Sequence, residues 1–387
     1  MMCSEPRSDL EGRSVARPWA AELGQVSRLA VFRALNLGDM LCFVPALRAI
    51  RAAWPEAHIC LIGLESARPV VERFPELVDE LILFPGDPAF PEKPVAHDAL
   101  PGFYRDIRSR RFDLILQMHG SGPQSNDIVG RMQPKQWAGF IPAGAAAEPH
   151  LLPWPDTLHE VHRYLALLQH LGLAAEDDSL SLPVSAEEEQ AAKLLALRYG
   201  LQLERTVCIH GGARLASRRW RLERYAQVAR SLGMEGWHIA LTGSEEEGPL
   251  ASQLQRMAAG AGIKVEVLCG QTPLGVLAAL IRKSRLLICN DTGISHVAAA
   301  VQAASVVIAS GSDVRRWAPL NERLHTVLHS DPPCRPCAYD VCPVGHVCAL
   351  GVHVDQVMYE AHNRLSASDD GPKAVAHTSY AGAGARV

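Results

Sequence analysis

The stretch from Leu286 to Val301 constrains the fold more than any other part of this chain of 387 residues. It opens with an uninterrupted apolar run (286–289), passes through a polar turn that contains a glycine (290–293) and continues with small residues (296–301). The apolar run predicts a strand buried on both faces, as in a parallel sheet, and the small residues predict a helix that packs closely on it. The chain therefore needs an α/β fold, in which ligands bind where such strands give way to helices.

The same alternation of strand and helix recurs along most of the chain. Strand-like runs are 29–33, 58–63, 80–84 and 112–117, followed by 206–210, 237–242, 265–268, 286–289 and 305–309. Helical segments are predicted at 39–53, 163–171, 187–198, 224–232, 249–259 and 274–282. Strands separated by helices form parallel sheets with crossover connections. Two such series predict two Rossmann-like domains whose parallel sheets face a cleft.

The domain boundaries follow from where the pattern restarts and where it stops. We expect a first Rossmann-like domain over residues 25–177, a second over 178–350 and a crossover helix over 351–365 that returns to the N-terminal domain. The flanking residues 1–24 and 366–387 lack an apolar pattern, and the second of these segments is rich in Ser, Ala, Gly and Asp. Such composition predicts disordered tails.

Charge and motif content exclude several classes of protein. A net charge of −4 gives no electrostatic reason to expect nucleic acid. No apolar run is long enough to span a membrane, and residues 1–24 lack the apolar core of a signal peptide, so we expect a cytoplasmic protein. The chain also lacks the glycine-rich fingerprints of dinucleotide-binding and P-loop enzymes, the serine-hydrolase elbow and the H-E-x-x-H zinc motif.

The turn after the apolar run is a candidate anion site. Free backbone N–H groups at a helix N-terminus, together with the positive end of the helix dipole, bind phosphate well. Thr292 can add a hydroxyl, Gly293 permits close approach, and His296 lies one turn into the helix. The alternative is a plain strand-to-helix turn capped by an Asp or Thr side chain.

Asp39 follows Gly38 at the end of the first predicted strand. A carboxylate at this position can act as a general base toward an incoming hydroxyl, or it can simply cap the helix. Pro45 should break or kink the helix after its first turn.

Other strand ends carry further candidate ligand-binding groups. Arg218 belongs to a cluster of arginines that suggests an anionic partner, the alternative being a solvated basic loop. Glu247 can accept hydrogen bonds from a ribose, or it is an ordinary acid of a helix's first turn, and the turn at Gln271 and Thr272 can edge a base. Hydrogen-bonding groups suited to a polyhydroxylated ligand follow the strand at 112–117, and they are Gln117, His119, Ser121 and Asn126.

In this order, these segments resemble glycosyltransferase family 9, the heptosyltransferases of lipopolysaccharide assembly. The matching motifs are 37–39 with 45–47, 210–213 with 218–220, 241–243 with Glu247, 269–274, 290–293 with His296, and 312–313 with 317–319. The chain departs from the family at Gly211 and Arg221, where proline is common.

The resemblance implies a GT-B fold and a metal-independent, inverting transfer of heptose from ADP-L-glycero-β-D-manno-heptose to a glycan or lipid-linked acceptor. In such a fold we expect the domain over 25–177 to bind the acceptor, with Gln117, His119, Ser121 and Asn126 as the candidate residues, and the domain over 178–350 to bind the nucleotide sugar. By position, Asp39 corresponds to the catalytic base, Arg218 to a cation that holds the diphosphate and Glu247 to the acid that binds the ribose. Asp291, Thr292, Gly293 and His296 correspond to the diphosphate-binding turn. A lipid-linked acceptor would bring the protein into peripheral contact with the inner face of the membrane. The alternatives are another donor or acceptor on the same fold, or a non-catalytic nucleotide-sugar-binding protein.

Four cysteines near the C-terminus form a separate candidate site. Cys334, Cys337, Cys342 and Cys348 are spaced closely enough to hold a structural zinc or iron ion tetrahedrally. The alternative is a loop of reduced thiols, or a disulfide formed on oxidation.

Overall fold

A computed structural model describes residues 18–90 and 92–366 of the chain. These residues divide into two compact units. The first takes the described residues up to Ala186 together with two later segments, Thr292–Val301 and Asp313–Ala318. The second takes Glu187–Asp291, Gln302–Ser312 and the described residues from Pro319 onward.

The first unit is built on a six-stranded sheet. Its strands are β1 (Arg28–Phe32), β2 (His58–Gly63), β3 (Glu80–Leu83), β4 (Leu114–Gln117), β5 (Gln136–Ile141) and β6 (Leu151–Pro153). They pair in the order β3-β2-β1-β4-β5-β6, and every pair is parallel. Strands β1 and β4 are buried along almost their whole length, as their continuous apolar sequences require.

Helices connect the strands of the first sheet. They are α1 (Trp19–Glu22), α2 (Leu37–Leu41), α3 (Val44–Ala53), α4 (Arg68–Val71), α5 (Leu100–Ser109), α6 (Pro123–Met132) and α7 (Glu160–His170). The break between α2 and α3 confirms the predicted effect of Pro45, which lies in the first turn of α3, where a missing N–H costs nothing. Asp39 is thereby left on a separate helix of only five residues.

The tail predicted over residues 1–24 is wrong for its described part, 18–24, and residues 1–17 lie outside the described residues. Residues 19–22 form α1, and the Trp19 ring stacks on His150 with 5.9 Å between ring centroids. The backbone N–H of Ala20 donates to the Leu171 carbonyl at 3.0 Å. The contact of Trp19 with His150 therefore holds residues 18–24 in place, although their composition alone predicted a disordered tail. Of the second predicted tail, residues 367–387 also lie outside the described residues.

The second sheet repeats the topology of the first. Its strands are β7 (Thr206–His210), β8 (His238–Leu241), β9 (Val265–Val267), β10 (Leu286–Asn290), β11 (Ser305–Ala309) and β12 (His325–His329). They pair in parallel in the order β12-β11-β10-β7-β8-β9. Counted within each sheet, both orders are the doubly wound 3-2-1-4-5-6, so the α/β prediction of two Rossmann-like sheets is confirmed.

The later helices are α8 (Ala186–Arg198), α9 (Leu222–Met234), α10 (Gly248–Ala258), α11 (Leu274–Lys283), α12 (Gly293–Ala300), α13 (Val314–Trp317), α14 (Val347–Leu350) and α15 (Val354–Ser366). Helix α15, the segment predicted to return to the N-terminal domain, packs on β10, β11, β12 and α9 of its own unit. Val357, Ala361 and Leu365, four residues apart, form the stripe that joins the core of the second sheet.

None of the helices in the described ranges has both the length and the apolar character needed to cross a bilayer.

Candidate active site

Asp39 lies in the first turn of α2 but does not cap it. Asn36 holds the N-cap position, so the capping alternative for Asp39 is wrong. The carboxyl group is partly buried, and its burial raises the pKa of Asp39 to about 6, against opposing effects of Arg33 and Arg316. A carboxylate with a pKa in this range accepts a proton more readily than an exposed one and is still ionised at neutral pH.

A buried arginine supports Asp39 from behind. Arg33 is fully buried; its Nη1 donates to the Met118 carbonyl and its Nη2 to the Asp39 carbonyl, both at 2.9 Å. Its guanidinium lies over the rings of Tyr164 and Phe43, at 4.2 Å and 5.1 Å from their centroids. The main chain at Asp39 is therefore fixed by a rigid cation, a support that our reading of the sequence missed.

Helix α12 begins beside α2 in the first unit. Thr292 holds the N-cap position of α12 without a side-chain capping bond, so its hydroxyl is not engaged as a cap. A Cβ on Gly38 would lie 2.9 Å from the Gly293 Cα and 3.2 Å from Cδ2 of His296. His296 is buried, with Nδ1 at 3.5 Å from the Cys42 sulfur. Gly38, the residue before the predicted base, is thus in contact with Gly293 and His296 of the predicted diphosphate turn.

In the second unit, Asp291 and Arg218 have polar atoms without partners. The Asp291 backbone N–H donates to the Ile308 carbonyl at 3.0 Å, but its buried Oδ2 accepts no hydrogen bond from any described residue. Burial raises the pKa of Asp291 to about 6, opposed first by the Ser312 hydroxyl and then by the charges of Arg218 and Arg335. Arg218 donates from Nη2 to the Cys337 carbonyl at 2.6 Å, whereas its buried Nη1 has no partner among the described residues. Buried polar atoms left in this state are candidates for ligand binding.

Glu247 is held by a capping box at the end of β8. Its Oε2 accepts from the Ser244 backbone N–H at 2.9 Å and lies 3.8 Å from Nε2 of His210. A Cβ on Gly212 would lie 1.8 Å from Glu247 Oε1, so any other residue there would have to displace the carboxylate. A small pocket beside this carboxylate is lined by Gly212, Thr242 and Glu247 together with apolar side chains such as Leu222 and Leu254. The local sequence therefore places an oriented carboxylate at the mouth of a partly apolar pocket.

The turn after β9 contributes two more of the predicted residues. Gln271 accepts from the Tyr199 hydroxyl at 2.8 Å, so part of its hydrogen-bonding capacity is used within the protein. The buried hydroxyl oxygen of Thr272 has no partner within the described ranges. Of the two, Thr272 is the better placed for a ligand.

Asn290 organises the second unit's strand ends, although the sequence motif alone gave it no role. Its side chain is fully buried and donates to the carbonyls of Gly211 and Gly212, at 2.9 Å and 3.1 Å. Its Oδ1 accepts from the Trp220 backbone N–H and the Tyr225 hydroxyl, at 2.9 Å and 3.0 Å. One amide thus uses all its hydrogen-bonding groups to join β10 to the turn after β7.

The predicted acceptor residues lie around the end of β4. Gln117 is buried and bonds to the backbone at both ends of its amide: Nε2 donates to the His119 carbonyl at 2.8 Å and Oε1 accepts from Phe140 at 3.2 Å. His119 accepts from the Ala34 N–H at 3.1 Å, and burial lowers its pKa to about 3. Asn126 donates to the Phe140 carbonyl at 2.9 Å. Only Ser121 is exposed, so the other three shape this region as much as they offer groups to a ligand.

Comparison with known proteins identifies the family. The model of glycosyltransferase family 9 (heptosyltransferase) matches residues 102–348. The chain belongs to glycosyltransferase family 9. This makes it a glycosyltransferase, and it confirms the resemblance read from the motifs.

Relatives and solved structures agree with this membership. The chain is 24% identical over 347 residues to lipopolysaccharide heptosyltransferase 2 of Salmonella typhimurium. The alignment covers 85% of this chain and 96% of that protein. A family 9 glycosyltransferase of Veillonella parvula matches with a TM-score of 0.68 at 21% identity, over 88% of this chain and 97% of that one. The ADP-heptose lipopolysaccharide heptosyltransferase II of Escherichia coli matches with a TM-score of 0.65 at 20% identity, over 88% and 98%. The GT-B assignment of the fold is thereby confirmed.

In this glycosyltransferase the cysteine loop (residues 334–348) clamps the turn that carries Arg218. Ser217 donates from its backbone N–H to the Asp340 carbonyl at 3.0 Å and from its hydroxyl to the Tyr339 carbonyl. His346 Nε2 donates to the Ser217 carbonyl at 2.7 Å. Together with the hydrogen bond from Arg218 to the Cys337 carbonyl, these contacts hold the turn at Ser217 and Arg218 against the cysteine loop.

The four thiols of the cysteine loop are not among the potential metal ligands that lie close together in the described residues. Among the described residues, the one group of three or more potential metal ligands within 4.8 Å of one another is His58, Cys60 and Glu80, not the cysteine loop. Metal binding by Cys334, Cys337, Cys342 and Cys348 therefore stays a prediction. At the other group, both Glu80 oxygens accept from Arg110 Nη1, at 2.8 Å and 2.7 Å, and this cation opposes a metal ion.

Proposed function

We propose that this glycosyltransferase moves a heptose from ADP-L-glycero-β-D-manno-heptose to a hydroxyl of the lipopolysaccharide core or a related surface glycan. The observation that carries the proposal is Asp39: a carboxyl group with a pKa near neutrality, engaged neither as a helix cap nor in a direct ion pair with a described residue. The similarity to lipopolysaccharide heptosyltransferases supports heptose as the sugar.

The donor would be held by residues that follow strands β7, β8, β9 and β10. Arg218 and the backbone amides at Thr292 and Gly293 would receive the diphosphate, with His296 behind them and Asp291 orienting Arg218 by charge. Glu247 would accept from the ribose hydroxyls, because its carboxylate is fixed beside Gly212. Gln271 and Thr272 would edge the base.

The chemistry needs a base on one side of the sugar and charge stabilisation on the other. Asp39 would take the proton of the acceptor hydroxyl as that oxygen attacks the anomeric carbon, and the bond from this carbon to the ADP β-phosphate oxygen would break with inversion. The departing ADP gains negative charge, which Arg218 and the helix N-terminus would stabilise. These groups would supply the stabilisation that other transferases obtain from a divalent cation.

For the acceptor we propose a glycan presented at the cytoplasmic face of the inner membrane. Ser121, with Gln117, His119 and Asn126 shaping the surrounding backbone, would lie on its path. The enzyme would then be cytoplasmic with peripheral contact to that membrane.

The test is a donor screen combined with one substitution. ADP-heptose should raise the melting temperature of the protein more than UDP- or GDP-sugars do, and it should be consumed when acceptor is added. Asp39→Asn should lower kcat by about a thousandfold or more, as loss of a general base does, while ADP still binds. A better response to another nucleotide sugar would favour the alternative donor, and an unchanged kcat would remove Asp39 from the mechanism.

A further inference from the structure

A short segment late in the chain is attached to the scaffold behind Asp39. Residues 313–318 belong to the first unit, where the His159 Nε2–H donates to the Ala318 carbonyl at 2.8 Å and Arg316 Nε donates to Glu160 Oε2 at 2.7 Å. Trp317 lies 6.0 Å from the His296 ring, measured between centroids. The segment thus reaches both α7 and α12.

Glu160 is the centre of this attachment. Its side chain is fully inaccessible to solvent and accepts from the Tyr164 hydroxyl at 2.6 Å, from Arg163 at 3.1 Å and from Arg33 at 3.4 Å, in addition to Arg316. These donors lower the pKa of Glu160 to about 2 against the effect of its burial, so it is a permanent anion at neutral pH. A buried charge with this many donors is a fixed part of the fold.

Arg316 differs from the other cations of the cluster. Arg33 and Arg163 each also donate to backbone carbonyls, which fixes them as structural groups. Arg316 is 34% exposed, and its guanidinium lies 4.5 Å from the centroid of the Trp317 ring. It is therefore the member whose charge can be removed with the least disturbance of the core.

We propose that Glu160 and Arg316 are positioning residues for Asp39. Glu160 holds Arg33, which fixes the backbone carbonyl of Asp39, and Arg316 adds the positive charge that keeps the base ionised. The inference rests on the proposed function, because it assumes that Asp39 is the general base.

Four charged groups act on Asp39 from the elements around it, and His296 lies against the neighbouring Gly38. Arg33 and Arg316 favour the carboxylate, whereas Glu160 and Glu92 disfavour it. Removing Arg316 should therefore raise the pKa of Asp39, and removing Glu160 should lower it. A role confined to holding the fold together does not predict opposite signs.

The experiment is the pH profile of kcat for Arg316→Gln, Arg316→Lys and Glu160→Gln. The acidic limb should move up by about half a unit to one unit in Arg316→Gln, as expected for loss of a nearby opposite charge, and should stay in place in Arg316→Lys. Arg315→Gln is the matched control, because Arg315 is 75% exposed and pairs with Asp313. In Glu160→Gln the limb should move down.

Each other outcome has a definite meaning. The inference is overturned if the acidic limb of the kcat profile does not move in Arg316→Gln, or if it moves equally in Arg315→Gln. It is also overturned if Arg316→Gln raises the donor KM while the acidic limb does not move. If Glu160→Gln does not fold, the comparison of the two Arg316 variants still decides. An active Asp39→Asn enzyme contradicts the proposed function itself, so the two failures are distinguishable.

Discussion

Gly38 and Gly293 bring two helix starts of the first unit into backbone contact. A methyl group on Gly38 would lie 2.9 Å from the Gly293 Cα, closer than real Cβ atoms approach another carbon. A methyl group on Gly293 would lie no nearer than 3.5 Å to Gly38, which is ordinary contact. The two glycines are therefore not equivalent, although they face each other.

This asymmetry gives the first prediction. Gly38→Ala should destabilise the protein by about 1–3 kcal/mol and lower kcat, because the helix that carries Asp39 must shift. Gly293→Ala, the matched control, should change the free energy of unfolding by less than about 1 kcal/mol. Urea unfolding of both variants measures this. Equal losses would show that the close approach of α2 and α12 is not what Gly38 serves.

The raised pKa of Asp39 predicts a cost in stability. The pKa of the Asp39 carboxyl group is about 6 in the folded protein and 3.8 in the unfolded chain. Ionisation of Asp39 therefore destabilises the folded state increasingly between these two pH values, and by a constant amount above pH 6. Asp39→Asn should thus stabilise the protein at pH 8, by about 2 kcal/mol at most given its partial exposure, and hardly at all at pH 3.5. Thermal unfolding at the two pH values tests the sign. A variant that is less stable at pH 8 would contradict the assigned environment.

Gly212 should matter for the donor far more than its neighbour. Gly212→Ala would place a Cβ 1.8 Å from Glu247 Oε1 and so displace the carboxylate proposed to bind ribose, whereas a Cβ on Gly211 comes no nearer than 3.4 Å to any atom. We expect the donor KM to rise about tenfold or more in Gly212→Ala, the equivalent of one charge-assisted hydrogen bond, with a smaller change in kcat. Gly211→Ala should remain close to the parent enzyme. Steady-state kinetics with varied donor separate the two, and equal effects would argue against Glu247 as a ligand.

Asn290 is predicted to be irreplaceable by its isostere. Asn290→Asp removes both donors to Gly211 and Gly212 and sets a carboxylate against their carbonyls, which should cost about 2–4 kcal/mol. Asn321→Asp is the control, because Asn321 is exposed and only accepts, from the Arg323 N–H at 3.2 Å. Chemical denaturation of both proteins provides the measurement. A mild effect at position 290 would mean that the amide is not organising the strand ends.

The sequence predicted those strands that form apolar runs and missed β5, β6 and β12. Strand β6 has three residues and ends in Pro153, and β12 is flanked by His325 and His329, so neither stands out as an apolar run. Strand β5 contains Gly139, where a Cβ would lie 2.6 Å from Cβ of Gln117. Glycine is required at position 139 because the Gln117 side chain on the neighbouring strand β4 lies against it. Such a contact between strands cannot be read from the residues around position 139.

The site shows the same division between local and distant information. Asp39, Glu247 and the 291–293 turn each lie at the end of a strand that can be recognised from its own residues. The support behind them joins positions far apart, such as Arg33 with Glu160, 127 residues later, and Arg316, a further 156 residues on. Glu160 and Arg316 had no motif of their own, since a lone acid or base on a helix is usually solvated. Buried charge pairs of this kind become visible only with the fold.

The clamp between Ser217 and the cysteine loop has a practical consequence for anyone redesigning this enzyme. The turn that carries Arg218 is held by hydrogen bonds to backbone carbonyls and a histidine about 120 to 130 residues later in the chain. A version from which only residues 334–348 are deleted would retain every donor-binding side chain proposed here but lose the loop's contacts with Ser217 and Arg218. Fusions, tags and circular permutations should accordingly avoid residues 334–348.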